Sequence, residues 1–133
     1  MSIPNRFIVV DDDPTSNMIC RFSLQGLSTE AEIDIFTEPE NVLAIIERTY
    51  GGPTECPPAV LFLDLNMPSM TGWEFMGELG GMDRRVREQL TIYILSSSLD
   101  KGDMERAGEH PLVKGFISKP LTLEILRQEF GHG

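Results

Sequence analysis

Cysteine and histidine are scarce in this 133-residue chain, at two residues each. Cys20 falls in a helical stretch and Cys56 in a Pro-rich loop, without the paired spacing of a metal clip, so both read as reduced thiols. His110 before Pro111 and His132 in a Gly-flanked tail read as solvent-facing, and neither is placed like a phosphorylated histidine on an amphipathic helix. Long apolar runs are missing too: the longest covers residues 59–63, far below the roughly 20 residues that span a bilayer. The first six residues hold no charged segment leading into an apolar one, so we expect no signal peptide, no membrane span and a cytoplasmic location. Bases are outnumbered, 11 Lys and Arg against 21 Asp and Glu, for a formal net charge of −10. Such a chain repels phosphate backbones, which argues against a nucleic-acid partner.

What is present is enough for one globular domain spanning 1–133, with no room for an attached effector domain. Hydrophobic residues make up 41% of the chain, which excludes a disordered segment. The acidity is local. Residues 1–78 carry 13 acids against 3 bases, while residues 79–133 carry 8 of each.

Residues 7–10 form an apolar, β-branched run that stops at Asp11-Asp12-Asp13, the pattern of a strand buried on both faces. Asp13 and Pro14 open a first helix, with Met18, Ile19 and Phe22 as its apolar stripe and Gly26 at its end. Residues 31–36 alternate as a half-exposed edge strand. Thr37 and Glu40 have capping-box spacing before a second helix with Val42, Ile45 and Ile46 on one face. Residues 59–63 make another fully apolar strand, ending at Asp64. Phe75, Leu79 and Met82 mark a third helix that weakens at Gly80-Gly81. Residues 92–95 and 115–118 are further strands, ending at Ser96 and Lys119. Between them, 100–109 is a helix with only Met104 and Ala107 as apolar face. Thr122 caps a last helix bearing Leu123, Leu126 and Phe130.

Five strands alternating with five helices, three of the strands almost wholly apolar, imply an α/β fold: a doubly wound parallel sheet covered on both faces. Such sheets hold ligands beyond the carboxyl ends of their strands. Asp11, Asp12, Asp64, Ser96 and Lys119 all fall at those ends. Carboxylates crowded there repel one another unless a cation sits among them. With oxygen ligands only, Mg²⁺ is the natural choice. A lysine and a hydroxyl facing the same cation make an anion site, and the sum is a pocket for phosphoryl transfer to a carboxylate.

Over essentially its whole length the chain resembles the receiver domain of two-component response regulators. The residues that carry the resemblance are Val10-Asp11-Asp12, Leu63-Asp64-Leu65-Asn66-Met67-Pro68 with Gly72 beyond, Ile94-Leu95-Ser96-Ser97, and Gly115-Phe116-Ile117-Ser118-Lys119-Pro120. The resemblance implies a flavodoxin-like (βα)5 fold with strand order 2-1-3-4-5. It also implies a signalling phosphoacceptor rather than an enzyme. In such a protein Asp64 takes a phosphoryl group from a histidine kinase or a histidine phosphotransfer protein. Mg²⁺ is held by Asp11, Asp12, Asp64 and the backbone carbonyl of Asn66. Lys119 pairs with the phosphoryl group across a Lys119-Pro120 bond that is usually cis, Ser96 moves to bond it, and Phe116 is the switch aromatic. Output then passes to a downstream protein docking at the fourth helix, fifth strand and fifth helix.

Two departures stand out: Ser97 replaces a common Ala, and Phe116 lacks the hydroxyl of the usual Tyr. The stretch 80–90, with Arg84, Arg85 and Arg87, is longer than a minimal connection and reads as a solvated helix end. Two rival readings stay in view. Asp11-Asp12-Asp13-Pro14-Thr15 resembles the nucleophile motif of haloacid-dehalogenase-type phosphatases, which would make Asp11 the nucleophile. A pseudo-receiver would use the fold only as a binding surface.

Overall fold

A computed structural model describes residues 5–52, 58–97 and 100–131. Cys56 and His132 lie outside these residues. In chain order the elements are β1 (Arg6–Val10), α1 (Pro14–Leu27), β2 (Glu32–Phe36), α2 (Pro39–Tyr50), β3 (Ala59–Asp64), α3 (Gly72–Gly80), α4 (Arg84–Glu88), β4 (Leu90–Ser96), α5 (Lys101–Glu109), β5 (Val113–Ser118) and α6 (Leu123–Phe130). The five strands form one sheet in the order β2-β1-β3-β4-β5, and every neighbouring pair is parallel. The expected fold class and strand order are therefore present.

Period-2 alternation divides the core. Ile8, Val10, Leu61, Leu63, Ile92 and Ile94 point to the face covered by α2 to α5, where they meet Val42, Ile46, Phe75, Leu79 and Ala107. Phe7, Val9, Val60, Phe62, Tyr93 and Leu95 point to the other face, against Cys20 and Leu24 of α1 and Leu126 of α6. Strands buried on both sides have no polar face, which is why β1, β3 and β4 read as unbroken apolar runs. Chain direction within a parallel sheet then delivers all five carboxyl ends to one rim.

Several local expectations need correction. The apolar stripe assigned to α1 faces outward: Met18 is 61%, Ile19 42% and Phe22 70% exposed. The inward stripe is Asn17, Cys20 and Leu24. Two stripes with helical spacing compete in this segment, and the polar start of the inner one hides it. Asn17 is buried because its amide Nδ2 donates to the Asp11 carbonyl at 2.8 Å. Gly26 lies inside the helix instead of ending it, and its bare Cα lets Leu123 of α6 pack close.

The capping box expected at Thr37 is absent. α2 starts at Pro39 with Glu38 as cap, because proline suits the first helical position, where no N–H is needed. A capping box does form at Thr71 and Glu74, at the start of α3. The described residues hold six helices where five were expected: Asp83 caps the short α4, and Val86 is its one buried residue. The helices named fourth and fifth from the sequence are thus α5 and α6. On α5 only Ala107 is buried, while Met104 is 44% exposed. His110 is not solvent-facing but half-buried, its ring stacked on Trp73.

Candidate functional site

Asp11 follows β1 and is fully buried; its Oδ1 accepts the backbone N–H of Asp13 at 3.0 Å. Asp13 turns its own carboxylate to the N–H of Thr15, capping α1 as expected. Asp64 closes β3, the central strand, and Asp12 is half-exposed. Carboxylate oxygens of Asp11, Asp12 and Asp64 lie within 4.8 Å of one another. Lys119, carried in by β5, places Nζ 2.5 Å from Asp11 Oδ2 and 3.2 Å from Asp64 Oδ1. Four residues from three strand ends are thereby in one cluster.

The charges explain one another. Burial first, and then the Asp11 carboxylate, push the Asp64 carboxyl up to about 6, against the pull of Lys119 and a backbone hydrogen bond from Asn66. At neutral pH Asp64 is mostly ionised, yet more basic than a surface aspartate. Burial alone would lower the Lys119 ammonium, but its bond to Asp11 and the two carboxylate charges outweigh that, so it is held above its ordinary value and stays protonated. The donor set is three clustered carboxylates, two of them paired with one lysine. That chemistry fits a hard dication such as Mg²⁺ and offers nothing to a soft metal.

The remaining expected residues lie on β4, β5 and the loop after β3. Ser96 is buried at the end of β4, and its carbonyl accepts the N–H of Lys119 at 2.8 Å. Phe116 is half-buried on β5 opposite Ile94, packed on the core side of α2 to α5. Asn66 is exposed in the loop after β3. The Lys119-Pro120 bond is cis, as expected.

Two contributors were missed in the sequence. Asn17 pins the carbonyl of Asp11, and its signal was the spacing it shares with Cys20 and Leu24 rather than its chemistry. Trp73 reaches α5, a contact between elements that no local pattern encodes.

The sequence profile of the response regulator receiver domain matches residues 7–130. The chain belongs to this family. Receiver domains are signalling phosphoacceptors, generally not enzymes; they are phosphorylated by histidine kinases, typically bind Mg²⁺ at an acidic cluster, and pass the signal to downstream effectors. This receiver is 33% identical over 129 residues to the transcriptional regulatory protein BtsR of Salmonella typhi, a match covering 93% of the chain and 48% of the relative. It thus spans about half the length of the curated relatives it matches first. Among solved structures, a two-component response regulator from Cytophaga hutchinsonii superimposes with a TM-score of 0.84 at 25% identity, covering 96% of this chain and 94% of that one. A response regulator receiver protein from Dyadobacter fermentans gives 0.81 at 25% identity, with 93% of each chain covered. No described helix of this receiver is long and apolar enough to cross a membrane.

Proposed function

We propose that this receiver takes a phosphoryl group on Asp64 from a phosphohistidine of a histidine kinase or histidine phosphotransfer protein. The observation that carries the reading is the Asp64 carboxylate at the end of the central strand, 3.2 Å from the Lys119 ammonium and clustered with Asp11 and Asp12. An Asp64 oxygen attacks phosphorus as the P–N bond breaks, and the imidazole leaves with the electron pair. The product is an acyl phosphate. Asp11, Asp12, Asp64 and the Asn66 carbonyl would hold Mg²⁺, which offsets negative charge on the acids and on the phosphoryl oxygens. Lys119 exchanges its bond to Asp11 for one to the phosphoryl group, and the Ser96 hydroxyl turns to a second phosphoryl oxygen.

The donor's approach is supported by the outward stripe of α1. Met18, Ile19 and Phe22 form an apolar patch beside the rim, and a cavity of about 250 Å³ lined by Ile19, Lys119 and Leu121 opens next to it. Apolar side chains exposed together beside a reactive group mark a docking face. Movement of Ser96 frees space for Phe116 to turn inward, and the surface of α5, β5 and α6 carries the output to a downstream protein.

The test is phosphorylation with acetyl phosphate and Mg²⁺, followed by mass-spectrometric mapping. Label on Asp64, absent in Asp64→Asn, is the expected result. Label on Asp11 would establish the phosphatase-type reading instead. Failure to take up either phosphate or beryllofluoride would make the protein a pseudo-receiver.

A further inference from the structure

Trp73 is the only tryptophan in the chain, and it joins two parts of the molecule that share few other contacts. On one side it belongs to the block around Asp64. The N–H of the preceding Gly72 donates to the Leu65 carbonyl at 2.9 Å, and a Cβ at Gly72 would lie 2.8 Å from the Asp64 carbonyl. The capping box of Thr71 and Glu74 fixes the same turn. Trp73 is therefore tied to the backbone of the Asp64 segment.

On the other side the indole is held by α5. Its Nε1–H donates to Asp103 Oδ1 at 3.2 Å, the Arg106 guanidinium lies 4.4 Å from the ring centroid, and the His110 ring stacks at 6.4 Å, 26° from parallel. Positions 103, 106 and 110 share one helix face by their spacing of three and four. His110 is itself fixed, because its Nδ1 accepts the Leu112 N–H at 3.1 Å. Ala107 is the single buried residue of α5, so this polar and aromatic seat adds a second anchor to the packing of the helix on β5.

We infer that Trp73 is a positioning residue for the switch: its seat on Asp103, Arg106 and His110 holds α5 in the resting position and opposes phosphorylation of Asp64. This rests on the phosphoacceptor reading above. Only three residues separate Ser96 from Asp100, the cap of α5, so a shift of Ser96 toward the phosphoryl group draws on the start of that helix. Trp73, tied to Leu65 and Asp64, does not follow. The seat must slide off the indole, and the free energy of that contact is set against the activated state. Coupling is reciprocal: weakening the seat strengthens binding at Asp64.

The experiment uses the full chain, Arg106→Ala and Trp73→Phe. Arg106 is exposed, so its truncation leaves the core intact. Without ligand, amide exchange of residues 101–109 should quicken about tenfold in both variants while β1 and β3 are unchanged. With Mg²⁺, beryllofluoride titrated by fluorine NMR should bind roughly three to ten times tighter to the variants than to the parent. In the parent, indole emission should change as beryllofluoride binds, and Asp64→Asn should show no change. Equal affinities, or unchanged exchange in α5, overturn the role of Trp73 and leave the phosphoacceptor reading standing. No binding to the parent overturns both.

Discussion

The amide of Asn17 donates to the main-chain carbonyl of Asp11 at 2.8 Å, and that bond ties the rotation of α1 to the acidic loop. Turning the helix to bury Met18 and Phe22 would break it and expose Cys20 and Leu24. The same setting that supports the Asp11 loop therefore presents an apolar stripe beside it.

Two substitutions on α1 check this rotation. Leu24→Ala should cost about 3 kcal/mol, because the side chain is fully buried and leaves a cavity. Phe22→Ala should change stability by less than about 0.5 kcal/mol, although it removes more atoms. Urea unfolding measures both. Phe22→Ala should also slow transfer from a phosphohistidine donor while labelling by acetyl phosphate stays at the parental rate.

Removing Lys119 leaves buried Asp11 and Asp64 facing each other without their ammonium partner. Lys119→Ala is expected to lower stability by about 3 kcal/mol in metal-free buffer. Addition of Mg²⁺ should recover a large part, since a cation held by the same carboxylates stabilises the folded state by mass action. Denaturant midpoints with and without the ion check the prediction, and a loss that Mg²⁺ leaves untouched would count against the metal site.

Two glycines give opposite signs. Gly72→Ala puts a Cβ 2.8 Å from both the Asp64 carbonyl and Leu65 Cδ2, so the turn must shift, at about 1–3 kcal/mol. Gly77→Ala, inside α3, meets nothing within 4 Å and should raise stability by about 0.5–1 kcal/mol through helix propensity. Melting temperatures of the two variants should move in opposite directions.

Alkaline pH should expose the anchoring of α6. The Tyr93 hydroxyl lies 3.2 Å from Glu129 Oε2, and burial followed by that carboxylate pushes the phenol up to about 12. Above about 10 the unfolded phenol ionises while the folded one keeps its proton. The unfolded state then binds fewer protons, so stability present below pH 10 falls as pH rises toward 12. In Tyr93→Phe that part of the decline should be absent from a series of unfolding curves between pH 9 and 12.

The rim was legible in the sequence because parallel strands buried on both faces announce themselves as apolar runs, and each run stops at a polar residue on the carboxyl-end rim. Asp11, Asp64 and Ser96 are such stops, while Lys119 follows the shorter, half-buried β5. What escaped lay where two signals competed. α1 carries two stripes with helical spacing, and a buried asparagine disguised the inner one. α4 escaped because one apolar residue, Val86, among Gly80, Gly81 and three arginines does not make a period. At α2 a proline took the first helical position that the threonine cap had seemed to claim. The seat of Trp73 joins residues thirty positions and more apart, beyond the reach of any local pattern.

The ion pair of Lys119 with Asp11 spans 108 positions of the chain. A nascent polypeptide that has not reached Lys119 carries Asp11, Asp12 and Asp64 without this counter-charge, as a self-repelling edge. Pairing of β5 with β4 is what brings the Lys119 ammonium to Asp11 and Asp64. The charge balance of the acidic rim therefore depends on a residue that reaches it only through the placement of β5.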